Sequence, residues 1–352
     1  SLPLLPPLDN LPRFPRRRPM PSFVHLHLHS EYSLTDSTIR VPELVAAVAA
    51  ARMPAVALTD DSNLFALVKF HKAAEAAGLK PISGADVWVE DEKAEPFRLT
   101  LLCQDRTGYR NLSILLTQAY RARHDPDRVS VRREWLEEKH EGLIVVAGPG
   151  SDVGRAIAAG RDESAQAALA RWTRRFDERC YLELVRANRP EDEHFVAVAV
   201  EIAAQLDCPA IASNDVRFIA REDFEAHEAR VCIHEGHALA DPKRPRPYSP
   251  EQYLKSPAEM AQLFSDLPEA LENSVELAKR CNLELSFGKY YLPAFPVPKA
   301  NLSENDYIAE RSREGLEQRL ATINECLAAI REINAAFAQF IADERAAQVI
   351  EF

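Results

Sequence analysis

The run His25-Leu26-His27-Leu28-His29-Ser30 restricts this chain more than any other stretch of it. Side chains alternate faces along a strand, so an extended run places His25, His27 and His29 on one face and Val24, Leu26 and Leu28 on the other. Three imidazoles on one face point to metal binding or phosphate chemistry, because neutral imidazole is the commonest metal ligand. The plainer alternative is a strand whose histidine face is solvated or hydrogen-bonded. A core strand would more readily carry Val or Ile there.

From Phe23 onward, strand-like runs alternate with amphipathic stretches. The runs are Phe23–His29, Ala55–Thr59, Pro81–Val89, Leu99–Cys103, Leu143–Ala147, Tyr181–Val185 and Pro209–Ala212. Between them lie helical patterns at Val41–Arg52, Leu64–Ala77, Gly108–Tyr120, Ser164–Phe176 and Glu191–Leu206. Such alternation predicts a parallel sheet with outer helices, and this many runs favour a closed or nearly closed barrel. In barrels the working residues sit at the carboxyl ends of strands. His27 and His29 end the first run, Asp60 and Asp61 the second, Asp86 interrupts the third after Gly84, and Asn214-Asp215 follow the last. Each Asp or Asn alone reads more readily as a helix cap or turn residue. Their recurrence after four runs is what marks a site.

An apolar content of 46% over 352 residues supports a full core. The net charge of −11 argues against the whole chain gripping duplex DNA, where Lys and Arg must neutralise phosphates. A partner that itself handles DNA is compatible with it. The cysteines are scattered, with no Cys-x-x-Cys pair, so neither a zinc ribbon nor a redox motif is indicated. Most sit in apolar runs, as buried free thiols do in a reducing cytosol. No membrane span and no signal peptide are expected, and a cytoplasmic location is.

Residues 1–22 are Pro-rich, carry Arg16-Arg17-Arg18 and are expected to be disordered. Leu292–Lys299 (LPAFPVPK) reads as a linker, after which the sequence turns helical. There Leu320, Ile323, Leu327, Ile330, Phe337 and Ile341 form a 3-4 apolar stripe interrupted by Asn334. An Asn in such a seam fixes coiled-coil register at a cost in stability, or marks a helix that packs on its own domain. The loop Gly148–Gly154 lacks the third glycine of a dinucleotide fingerprint, because Val153 stands there, and lacks the Lys-Ser/Thr of a P-loop. It reads as a tight turn with Asp152 near the next helix start. His227 and His234, with Glu228 and Glu235 beside them, read as packing or surface residues.

FVHLHLHSEYSLTDS, ALTDDSNLFALVKFHKAAEAAGLKPISGADV and IASNDVRFIAREDFEAHEARVCIHEGHALADPKRPRPYSP together resemble the N-terminal polymerase-and-histidinol-phosphatase (PHP) region of bacterial DNA polymerase III alpha subunits. The likeness runs from about Phe23 to about Leu320 and includes YLPAFPVP and YIAERSREGLEQRL. It implies an α/β fold, a distorted seven-stranded (β/α) barrel followed by a helical C-terminal segment. The implied division is a PHP domain over 23–290, a linker and start of a palm-like region over 291–320, and an amphipathic helical tail over 321–352. Metal-bearing members hold up to three ions at the strand ends. Carried onto this chain, His27, His29, Asp36, Asp60 and Asp215 keep a ligating type. Asp86 stands where such members have Glu, and Asp61 where they have His. Arg98, Ala187 and Arg217 stand where they have His.

These departures imply a half-degenerate site. It has room for one divalent metal (Mg, Mn or Zn) rather than three, and two arginines are able to neutralise the carboxylates instead. The resemblance implies a DNA replication scaffold that docks the proofreading exonuclease and other holoenzyme subunits, touching DNA only indirectly. No Asp-x-Asp pair follows Leu320, so the chain as given is expected not to extend a primer. The competing readings are a metal-dependent phosphoesterase or 3′–5′ exonuclease, and a helix-mediated interaction module self-associating through 320–341.

Overall fold

The computed structural model describes residues 23–91, 94–122, 128–289, 297–298 and 302–350, with backbone alone at 94 and 340–350. The Pro-rich 1–22 segment and most of the Leu292–Lys299 linker lie outside the described residues. Two compact units divide between Leu285 and Ser286.

In chain order the elements are α1 (Val41–Ala50), β1 (Ala55–Leu58), α2 (Leu67–Ala76), β2 (Lys80–Asp91), β3 (Ala94–Cys103), α3 (Arg106–Arg121), β4 (Ser130–Arg132), α4 (Arg133–Glu138), β5 (Leu143–Ala147), α5 (Asp152–Ala158), α6 (Asp162–Phe176), β6 (Cys180–Val185), α7 (Asp192–Gln205), β7 (Ala210–Ser213), α8 (Phe224–Glu235), α9 (Pro257–Leu263), α10 (Pro268–Arg280) and α11 (Glu304–Ile350). The seven strands form one sheet in the order β1-β2-β3-β5-β6-β7, with β4 paired to β2 off this path.

The pairings β1–β2, β5–β6 and β6–β7 are parallel, as the βα alternation predicts. β3 departs from that expectation: it runs antiparallel to both β2 and β5. The reason is local. β2 and β3 are long strands that follow each other directly in the chain, so no crossover helix reverses the direction. Gly84 permits the close approach, since a Cβ there would lie 2.4 Å from the Leu101 carbonyl oxygen.

The strands are buried on both faces. Outward-facing Val87, Leu99, Leu101, Val145, Leu182 and Leu184 pack under the helices with Trp172 and Phe176 of α6. Inward-facing Ala57, Ile82, Leu102, Ile144, Val146, Tyr181 and Ile211 form a second cluster. Leu277 and Ala278 of α10 close that cluster at one end. Burying a side chain of this size stabilises by roughly 1.5–3 kcal/mol, which explains the near-continuous apolar runs.

The histidine run is not a regular strand; only Leu28 makes a bridge, to Val216. It is an extended segment inserted between β1 and the chain beyond β7. Ala57 N donates to His25 O at 2.9 Å and Thr59 N to Leu28 O at 2.9 Å on one side. On the other, His29 N donates to Val216 O at 3.1 Å and Val216 N to His27 O at 3.2 Å. These bonds close the curled sheet into a distorted barrel.

In the second unit, α11 exposes Leu320, Ile323, Leu327, Ile330 and Phe337. The side chain of Ile341 lies outside the described residues. Cys103, Cys180, Cys208, Cys232 and Cys281 are buried free thiols and Cys326 is an exposed one. Among the described residues no helix is long and apolar enough to cross a membrane.

Candidate metal centre

Strand parity carries apolar side chains into the barrel interior and polar ones into its mouth. On β2, Ile82 and Asp86 share a face; on β6, Tyr181 and Glu183 do. Ile211 of β7 leads by the same parity to Asp215, whose φ of 46° lies in the left-handed region that Asp tolerates better than most residues. Because β3 is antiparallel, its early residues Arg98 and Thr100 face the same mouth. The mouth is a cleft of about 450 Å³ lined by His27, Asp86, Arg98, Glu183, Asp215 and Arg217, among others.

Strict alternation fails in the histidine run. Val24 and Leu26 join the interior cluster, yet His27 and His29 also face inward to the cleft. His25 is separated from them, with its Nε2 2.8 Å from the Lys255 carbonyl oxygen. Burial lowers the His25 pKa to about 4. The expected row of three imidazoles is therefore a pair.

That pair converges with one carboxylate. His27 Nε2 lies 3.6 Å and His29 Nε2 3.5 Å from Asp86 Oδ2. Among the described residues, donor atoms of His27, His29 and Asp86 lie within 4.8 Å of one another. Both Nε2 atoms are buried and lack a hydrogen-bond partner. Their Nδ1 atoms are engaged, His27 with Glu183 Oε1 at 2.9 Å and His29 with Asp36 Oδ1 at 2.9 Å.

The arginines complete the charge pattern. Arg98 Nη1 donates to Asp86 Oδ2 at 2.9 Å and its Nη2 to Asp61 Oδ2 at 2.7 Å, while its guanidinium stacks on Trp88. Arg217 Nη1 donates to Asp36 Oδ2 at 2.8 Å and Nη2 to Asp215 Oδ1 at 2.5 Å; it also abuts His29 Nδ1. Tyr248 reaches Asp36 Oδ2 at 3.3 Å and Gln252 donates to Asp215 Oδ2 at 2.9 Å.

Burial works against ionisation of Asp36 and Asp86, but Arg217 with His29 holds Asp36, and Arg98 with both histidines holds Asp86, well below the usual carboxylate range. Against the same burial, Arg217 and His27 bring Asp215 down to about 2. Burial lowers His27, yet Glu183, Asp215 and Asp86 outweigh it and raise its pKa well above the ordinary value. For His29, burial and Arg217 oppose Asp36 and Asp86; the carboxylates win and its pKa is raised. The two guanidiniums thus neutralise most of this carboxylate cluster, and the same carboxylates favour the charged form of His27.

Two positions named by the sequence lie elsewhere. Asp60 accepts from Ser30 N at 2.6 Å and from the hydroxyls of Ser30 and Ser33, tying the turn after the histidine run to the end of β1. Burial outweighs those bonds and raises its pKa. Ala187 does not line the cleft; its N–H donates to Asp192 and its carbonyl accepts from Ser249. His227 packs against Phe218 and Tyr248 and meets the Asp36 carbonyl at 3.0 Å, and Glu228 pairs with Arg244. Asp152 opens α5, as its place in the Gly148–Gly154 turn predicts, and Ser151 caps it.

Sequence reasoning missed Glu183. Its signal was present: it is the one charged residue in the buried strand Cys180–Val185.

Residues 25–187 match the family model of the PHP domain. Over 305 residues the chain is 50% identical to the DNA polymerase III subunit alpha of Pseudomonas aeruginosa, covering 86% of this chain and 26% of the relative. It is 46% identical over 304 residues to that of Escherichia coli K12, covering 86% and 26%. The chain therefore spans about a quarter of the length of these curated relatives. A solved structure of a candidate metal-dependent phosphoesterase from Bifidobacterium adolescentis aligns with TM-score 0.39 and 17% identity, covering 55% of this chain and 87% of that one.

Proposed function

Because this chain contains a PHP domain homologous to part of the DNA polymerase III alpha subunit, we propose that it serves DNA replication as a structural module of that polymerase. The observation that carries this is the pair of arginines in the cleft. Arg98 and Arg217 bridge Asp86, Asp61, Asp36 and Asp215. A three-metal centre would have to displace both guanidiniums from charge-assisted bonds, which the desolvated cleft makes costly. The module works in the cytoplasm, docks the proofreading exonuclease and other holoenzyme subunits, and meets DNA through them.

The donor set fits one divalent cation and not three. Among the described residues, only His27 Nε2, His29 Nε2 and Asp86 Oδ2 converge without an arginine occupying all their acceptor capacity. Of Mg, Mn and Zn, two imidazole nitrogens favour Zn. A cation bound there supplies the positive charge that can acidify a bound water. Asp36, Asp60, Asp61 and Asp215, held by arginine or serine, contribute structure instead.

Protein purified without chelators is expected to carry at most one divalent ion per chain and to leave a generic aryl phosphate intact. His29→Ala is then without effect on hydrolysis. Turnover that disappears in His29→Ala would overturn the scaffold reading in favour of a phosphoesterase.

A second proposal concerns α11. Its exposed Leu320, Ile323, Leu327, Ile330 and Phe337 repeat at 3-4 spacing with Asn334 in the seam, which suits self-association. Concentration-dependent mass is expected in ultracentrifugation and should vanish in Ile330→Asp/Phe337→Asp. A mass unchanged across dilution would exclude it.

A further inference from the structure

We infer that Glu183 is the positioning residue of the cation site, acting through His27. The inference rests on the single-cation part of the reading above. Glu183 is 2% exposed, and its hydrogen-bond and ion-pair partner among the described residues is His27 Nδ1 at 2.9 Å. A buried carboxylate with no arginine or lysine beside it is expensive unless a cation lies within reach. Asp36, Asp86 and Asp215 each have a guanidinium; Glu183 has an imidazole instead.

The geometry gives that exception a purpose. A carboxylate accepting the Nδ1 proton of an imidazole fixes its tautomer and its ring plane, and leaves the Nε2 lone pair for a metal. His27 Nε2 is the buried, unpartnered atom aimed at Asp86 Oδ2, and His29 repeats the arrangement with Asp36. The fold also reserves space for Glu183. Gly148, at the end of β5, faces it, and a Cβ there would lie 2.2 Å from Glu183 Oε2. Gly148 does not occupy a positive φ, so its value here is the room it leaves rather than backbone freedom.

This supplies two independent perturbations. Glu183→Ala removes the carboxylate. Gly148→Ala keeps it and pushes it off His27, because the flexible end of the side chain is what must move. Glu183→Gln keeps a carbonyl oxygen able to accept from Nδ1. The probe is Zn²⁺ titrated into the full 352-residue chain by calorimetry, with the His27 tautomer read from its ¹⁵N shifts in the metal-free chain at a pH above its folded pKa, where the ring is neutral. Both Glu183→Ala and Gly148→Ala are expected to weaken Zn²⁺ binding about 10- to 100-fold, the range for lost outer-shell partners. Both should scramble the His27 tautomer, and Glu183→Gln should restore most of the affinity.

Unchanged affinity and tautomer in Glu183→Ala and Gly148→Ala would overturn the role of Glu183 while leaving the cation site. Absence of Zn²⁺ binding in the unmodified chain would overturn both. If Glu183→Ala fails to fold, Gly148→Ala and Glu183→Gln decide the matter.

Discussion

Arg217→Ala is expected to lower the free energy of unfolding by about 3–5 kcal/mol, the cost of leaving buried charges without their partner. Arg217 is 3% exposed and holds Asp36 at 2.8 Å and Asp215 at 2.5 Å. Truncation leaves Asp36 and Asp215 without their shared fork, with His27, His29, Arg98 and Arg189 left to offset them. No other residue replaces the fork, because Tyr248 and Gln252 each offer a single neutral donor. Arg98→Ala should cost less, since its side chain is 23% exposed and one of the two carboxylates it leaves, Asp61, is reached by water. Urea unfolding followed by tryptophan fluorescence measures both. A loss under about 1 kcal/mol for Arg217→Ala would show that the bridge is incidental to the fold.

The second large effect is on pH, measured with chelator present. Asp36, Asp86 and Asp215 have folded pKa values below their unfolded ones. Their contribution is fully present above the unfolded value near 3.8 and is lost as pH falls through the folded values, about 2 for Asp215 and well below 3.8 for the other two. His27 and His29 have raised folded values. Their contribution is fully present below the unfolded value of 6.5 and is lost as pH rises through the folded values. Asp60, raised by burial, opposes the other carboxylates on the acid side. The thermal midpoint should therefore be highest between roughly pH 4 and 6.5 and fall on both sides. In Arg217→Ala the acid limb should flatten, because Asp36 and Asp215 lose the cation that lowers them. A midpoint that climbs from pH 6 to 8 would contradict the raised folded pKa values of His27 and His29.

The elements of the barrel were legible along the chain. Leu143–Ala147 is a strand with the bounds its apolar run suggests, and the helix at Val41 starts where its amphipathic pattern begins. Buried strands read clearly because both their faces are covered, so the run itself is the signal. Asp86 could be singled out for the opposite reason, as a carboxylate inside such a run. Glu183 carried the same mark, and parity with Tyr181 would have turned it toward the interior.

The sequence by itself determined which residues are extended, which are helical and which polar side chains interrupt the apolar runs, because those are local consequences of period and burial. Only the tertiary structure decided which of them meet. The reversal of β3 delivers Arg98 to the mouth, and the kinked insertion between β1 and the chain beyond β7 parts His25 from His27 and His29. Closure of the barrel brings Arg217 of the last strand end against Asp36 of the first turn. Those are non-local facts of direction and closure, and no window along the chain contains both partners.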